Sequence, residues 1–263
     1  MILYPNAKIN LALYVFNKRA DGYHSIDSVF YPIPWCDVLE IVPSSKERFT
    51  HSGIPINPAD NLVVKAYEKM KATFQLPPVH IHLHKQIPLG AGLGGGSSDA
   101  AFCLKGLNQL FDLQLSLDEL ADMALQLGSD CPFFIYNQPA RVRGRGEKIE
   151  PIDSKLSAHF IKLIHPNIHI STQEAFSQIT PSNKTLPTPP KLLDEKWLNE
   201  VGNDFEEMTL SQYPELKKIK QELKEEGAFY TAMTGSGSTI YGLFDKAPPS
   251  KPQEAGVRVF QLK

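Results

Sequence analysis

Residues 79–101 read VHIHLHKQIPLGAGLGGGSSDAA. Val79, Ile81 and Leu83 alternate with His80, His82 and His84, so Val79 to Lys85 is predicted to be a strand with one buried face. A loop from Pro88 to Gly96 follows. Ser97, Ser98 and Asp99 then read as the cap and first turn of a helix, whose buried face is Ala100, Leu104, Leu107 and Phe111. Gly90, Gly92, Gly94, Gly95 and Gly96 strip the loop of side chains, so its backbone N–H groups can close around an anion. The helix behind adds unpaired amides and the positive end of its dipole. So many glycines cost too much chain entropy for a mere connection. The run from Gly90 to Ser98 is therefore expected to hold phosphates, with the Ser97 and Ser98 hydroxyls as further donors.

Upstream, Ile9, Leu11, Leu13 and Val15 share one face of a strand over 7–15, and Lys8, Asn10 and Ala12 the other. Asp21-Gly22 marks a turn, and Asp60-Asn61 offers an N-cap to a helix running to about Met70. Downstream, Ser116-Leu117-Asp118-Glu119 is a capping box for a helix that Gly128 terminates. From about Glu150 the texture changes to a strand near Ile161, a proline-rich stretch from Pro181 to Pro190, and a charged helix starting at Pro214. Strands Phe229–Met233 and Thr239–Phe244 flank the turn 234–238. A domain boundary is placed near 150, giving residues 1–150 and 151–263.

The 263 residues are 42% hydrophobic and 21% charged, as in a soluble globular protein. A net charge of −2 gives no global basic field for nucleic acid or an anionic membrane. No apolar run long enough to span a bilayer occurs, and the N-terminus lacks the pattern of a signal peptide. Cys36, Cys103 and Cys131 are scattered and odd in number, which fits a reducing cytoplasm. The expected partner is a small molecule, and the expected state a monomer or weak homodimer.

Phosphate binding alone does not name a chemistry. Gly90, Gly92 and Gly95 satisfy G-x-G-x-x-G, which keeps a dinucleotide-dependent oxidoreductase open. Against it, the loop lies far into the chain, and Asp112 and Asp118 fall in a loop and a helix start rather than at a second strand's end. No lysine follows the last glycine, so the Walker pattern fails, and protein-kinase elements are missing. A nucleotide-binding module without catalysis is a third reading.

The segment Pro88–Ala101 resembles the central motif of the GHMP kinases. Pro5-Asn6-Ala7-Lys8-Ile9-Asn10-Leu11 resembles their N-terminal motif, and Met233-Thr234-Gly235-Ser236-Gly237-Ser238 their C-terminal one. Arg19-Ala20-Asp21-Gly22-Tyr23-His24 and Gly128-Ser129-Asp130-Cys131-Pro132-Phe133-Phe134 narrow the resemblance to the branch acting on a cytidine-diphosphate-linked methylerythritol. The resemblance implies transfer of the ATP γ-phosphoryl group to the C2 hydroxyl of that substrate, in non-mevalonate isoprenoid synthesis; another GHMP-type small-molecule kinase is the alternative. It also implies a two-domain α+β fold: an N-terminal ATP-binding α/β domain, a C-terminal ferredoxin-like α/β sandwich, and the active site in the interdomain cleft.

The resemblance extends to single residues. It makes Asp130 the acceptor of the hydroxyl proton, with Lys8 beside it and Asn10 on the same strand face. Tyr23 becomes a stacking surface for cytosine, His24 a reader of its edge, Phe176 the second stacking ring and Thr172 a polar contact. Asn61 and Lys85 match positions near adenine and ribose, and Gly235, Ser236 and Gly237 border a phosphate group. Asp99 stands where many members carry asparagine and receives no contact. Mg²⁺ is expected with ATP, without assignable ligands. Without the resemblance, Asp130 and Asn61 read as helix caps, Lys8 and Lys85 as surface charges, and Asn10 as a solvated strand residue. Tyr23 and His24 would be exposed loop residues, and Phe176 and Thr172 packing or capping ones. His80, His82 and His84 span too far along a strand to share one ion. His165 and His169 lack zinc partners, and Cys131 lacks a histidine base.

Overall fold

The alternation at 79–85 becomes strand β6 (Val79–Lys85) in a computed structural model that describes residues 1–153, 156, 159–190, 194–249 and 256–262. The chain divides into two units, each gathered from separated stretches. The first takes residues 1–7, 35–89 and 94–138; the second takes 8–34, 90–93 and 139–263.

In the first unit β6 lies in a four-stranded sheet with β1 (Ile2–Leu3), β4 (Val38–Pro43) and β5 (Arg48–Gly53), in the order β1-β4-β6-β5. Only the β5–β6 pair is parallel. Leu39, Ile41, Val79, Ile81 and Leu83 are buried in this sheet. Helices α1 (Leu62–Phe74) and α2 (Gly95–Leu110) pack together, and α2 also meets β4. Val63, Ala66 and Met70 of α1, and Ala100, Leu104 and Leu107 of α2, are fully buried at helical spacing. The capping box forms at α3 (Leu117–Leu125), where Ser116 and Glu119 bond reciprocally. Short α4 (Cys131–Tyr136) follows.

The partly exposed face of β6 carries the three histidines. Thr50 Oγ1 bridges His80 Nε2 (2.9 Å) and His82 Nδ1 (2.8 Å), and Ser52 Oγ bridges His82 Nε2 (3.0 Å) and His84 Nδ1 (2.9 Å). A hydrogen-bonded ladder across the β5–β6 pair accounts for their spacing.

The second unit holds two sheets. One runs β2 (Asn6–Lys18), β3 (His24–Cys36), β7 (Ala140–Gly144) and β8 (Lys148–Pro151). The other has the order β10 (Tyr230–Met233), β11 (Ile240–Phe244), β9 (Phe160–Ile164) and β12 (Val257–Gln261), antiparallel throughout. Helices α5 (Thr172–Gln178), α6 (Glu195–Glu200), α7 (Glu206–Gln212) and α8 (Pro214–Glu225) complete it. The expected proline start and apolar stripe of α8 are present, with Leu216 and Leu223 fully buried beside Phe205, Met233 and Ile240. Tyr241 and Tyr230 hydroxyls donate to the Asn10 and Leu11 carbonyls, joining the two sheets.

Candidate active site

The glycine run does two different things in the two units. Gly90 and Gly92, with φ of 60° and 75°, lie in the left-handed region that side chains disfavour. A Cβ at Gly92 would come within 2.0 Å of the Thr234 carbonyl oxygen, so the backbone passes there only without a side chain. In the first unit Gly94, at φ 69°, is the N-cap of α2, which opens at Gly95 rather than at the expected Ser97. A left-handed glycine turns the chain into the helix at once, and no side chain caps it. The first intrahelical bond is from Ser98 N–H to the Gly94 carbonyl, 2.9 Å. The amides of Gly95, Gly96 and Ser97 precede it, the arrangement a helix start offers to an anion.

Other expected residues of this unit take definite places. Asn61 caps α1 through Oδ1, which accepts from Val63 N–H at 2.8 Å. Lys85 is not a surface charge: it is 2% exposed, because its parity in β6 is that of Val79, Ile81 and Leu83. Its ammonium donates to Asp99 Oδ2 at 2.7 Å and to Asp37 Oδ2. Lys85 therefore meets two carboxylates rather than standing open to a ligand. Burial pushes the Asp99 carboxyl up to about 8, with Lys85 opposing the shift and Asp37 adding to it. Asp130 occupies the cap position before α4 but makes no side-chain capping bond, so the cap reading does not hold for its carboxylate. The Cys131 thiol is buried and pushed up to about 12, so it supplies no thiolate nucleophile near neutral pH.

In the second unit Lys8 and Asn10 are 3% and 2% exposed, against the expectation of a solvated strand face. Lys8 Nζ lies 4.6 Å from the centroid of the Phe30 ring and donates to Asn10 Oδ1 at 2.6 Å. Asn10 Oδ1 also accepts from Gly235 N–H at 3.0 Å, and its Nδ2 donates to Ser28 Oγ at 2.9 Å. The Asn10 amide N–H donates to Thr234 Oγ1, and that hydroxyl donates to the Gly92 carbonyl, both at 3.0 Å. One asparagine thus holds the Lys8 ammonium, the 234–235 turn and the first glycines in a fixed relation.

His24 Nδ1 lies 2.9 Å from the Phe16 carbonyl, which can only accept, so Nδ1 carries hydrogen. The His24 ring sits 5.5 Å from Phe176, and Phe176 packs edge-on against Phe205 at 4.8 Å. Tyr23 is 49% exposed, with the Arg145 guanidinium 4.5 Å over its ring. Thr172, at the start of α5, reaches Ser236 Oγ at 3.3 Å. Three residues here had no sequence signal: Asp37, Ser28 and Arg145 act through partners far away in the chain.

Comparison with known proteins identifies the family. The pattern described as GHMP kinases N terminal domain matches residues 61–138, and that described as GHMP kinases C terminal matches 182–259. The 4-diphosphocytidyl-2-C-methyl-D-erythritol kinase of Azobacteroides pseudotrichonymphae is 49% identical over 257 residues, covering 96% of each chain. The chain belongs to this kinase family. The enzyme of the same name from Cytophaga hutchinsonii is 48% identical over 94% of each chain. A crystal structure titled 4-(cytidine 5'-diphospho)-2C-methyl-D-erythritol kinase superposes with a TM-score of 0.76 at 32% identity, covering 92% of this chain and 90% of the other. The kinase fold is thus the α+β GHMP fold, and its co-substrate is ATP.

Proposed function

We propose that the chain transfers the γ-phosphoryl group of ATP to the C2 hydroxyl of 4-diphosphocytidyl-2-C-methyl-D-erythritol, in the methylerythritol phosphate route to isoprenoids in the cytoplasm. The near-full-length identity to relatives of that name carries the reading. The N- and C-terminal divisions are set at 1–150 and 151–263 so that each contains one matched family segment. They follow those segments rather than the two compact units, the second of which also takes 8–34, 90–93 and 139–150.

The hydroxyl oxygen forms a bond to the γ-phosphorus as the bond to the β,γ-bridging oxygen breaks, and ADP leaves. Asp130 accepts the hydroxyl proton, and the Lys8 ammonium offsets the charge that develops on the phosphoryl oxygens. Asn10 fixes where that ammonium points. The amides of Gly95, Gly96 and Ser97, with Gly90, Gly92, Gly94 and Ser98, receive the phosphates, and Asn61 lies toward the adenosine. Lys85, held by Asp37 and Asp99 against the first turn of α2, contributes by placing the Gly95–Ser97 amides. Tyr23 and Phe176 flank the cytosine, each face worth about 1–3 kcal/mol. With Nδ1 committed to Phe16, His24 presents Nε2 as an acceptor, which suits the exocyclic amino group of cytosine. Thr172 and the 235–237 turn border the diphosphate. Among the described residues no group of three His, Cys, Asp or Glu could hold a metal ion. Mg²⁺ carried on the triphosphate would be held largely by phosphate and water and would call on no more than one or two carboxylates of the protein.

A coupled assay for ADP release tests the reading with the cytidine-linked substrate. Wild type should turn over, and Asp130→Ala should lose about 10²–10⁴ in kcat while keeping its ATP affinity. Full activity in that variant removes Asp130 from the proton-accepting role. Absence of ADP release by wild type overturns the function.

A further inference from the structure

Three charged groups of the first unit are buried together. Asp37, Lys85 and Asp99 are 0%, 2% and 1% exposed, and the ammonium bonds both carboxylates. Such a cluster is a poor source of stability, because well-packed apolar side chains serve as well or better in place of buried ion pairs. Its geometry fixes position instead. Asp37 Oδ1 accepts from Gln86 N–H at 2.5 Å and Ile87 N–H at 2.8 Å, gripping the chain where it leaves β6 toward the glycines. Asp99 stands in the second turn of α2. A Cβ added to Gly95 would lie 2.9 Å from Lys85 Nζ, so the ammonium sits directly against the first turn of that helix. A cation there is disfavoured by the helix dipole, and two carboxylates hold it in place.

We propose that Asp37, Lys85 and Asp99 are positioning residues for nucleotide phosphate binding. They tie the end of β6 to the uncapped start of α2 and act on the ligand only through the Gly95–Ser97 amides. The proposal rests on the kinase reading above. Asp99 Oδ1 has no hydrogen-bond partner, and burial favours its acid form. An asparagine at 99 then keeps the shape, the charge and an oxygen for Lys85.

The test measures kcat, both KM values, ATP affinity by calorimetry and Tm for Asp99→Leu and Asp99→Asn. The leucine variant should raise the ATP KM and dissociation constant about tenfold or more, with kcat and the KM of the cytidine-linked substrate within threefold. The asparagine variant should stay within threefold of wild type throughout. If Asp99→Leu does not fold, Asp37→Asn/Lys85→Met/Asp99→Leu, which removes the ammonium with both of its acids, is read for the same selective loss. A fall in Tm with unchanged ATP affinity, an equal loss in all constants, or asparagine as damaging as leucine overturns the proposal. If wild type binds ATP without turnover, the kinase reading fails while the calorimetry still decides this one.

Discussion

Gly96 separates what the fold needs from what the ligand needs. A Cβ at Gly95 would strike Ile87 Cγ2 at 2.8 Å, and Gly92 and Gly94 hold left-handed backbone. Gly96 has neither constraint: it sits in the first turn of α2, and an added Cβ would find no heavy atom within 4 Å. Glycine in a helix is less favourable than alanine by about 0.5–1 kcal/mol. Gly96→Ala should therefore stabilise the protein by roughly that amount. The same methyl group, tilted toward the helix start as every helical Cβ is, adds bulk beside the first-turn amides that are to meet phosphate. Displacing one charge-assisted hydrogen bond to phosphate costs about 1.5–3 kcal/mol, which raises the ATP KM about 10- to 150-fold. Urea denaturation gives the first quantity and steady-state ADP release the second. An unchanged ATP KM, or a less stable variant, refutes the reasoning that this position is bare for the ligand's sake.

Gly92→Ala should behave oppositely. Left-handed backbone costs about 1–2 kcal/mol for alanine. Moving the Thr234 carbonyl away disturbs hydrogen bonds worth about 1 kcal/mol each, so urea midpoints should register a total loss of about 3 kcal/mol or more. Stability should also respond to pH through Asp99. Its folded-state pKa, pushed up to about 8, lies above the unfolded one, so its contribution is complete below about pH 4 and is lost as pH rises through 8. The urea midpoint should fall between pH 5 and 8.5 more steeply in wild type than in Asp99→Asn; parallel curves contradict that assignment.

Where a signal was local, the sequence could be read directly. The alternation at 79–85, the Ser116–Glu119 box and the Pro214 start each lie within a few residues, and each formed as read. The start of α2 was misplaced because hydroxyls at 97 and 98 look like caps, whereas left-handed Gly94 opens the helix earlier. Buried polar residues were harder. The parity of Lys85 already put it on the core face, but its partners Asp37 and Asp99 come from other elements, one of them 48 residues away. Asn10 looked solvated because the turn that covers it lies 224 residues downstream. Motif resemblance supplied the roles proposed for Asp130, Tyr23 and His24, which no periodicity could reveal.

The shared ownership of the chain bears on its synthesis at the ribosome. The first unit can close once residue 138 has emerged, whereas most of strand β2 belongs to a unit that also needs residues 139–263. Leu13 N–H waits for the Gly202 carbonyl, Val15 N–H for Asp204, and the Asn10 carbonyl for Tyr241. A nascent chain of about 150 residues should thus carry one finished body and a long, oily hairpin still awaiting its partners. That interval is when a chaperone would be most useful to this polypeptide.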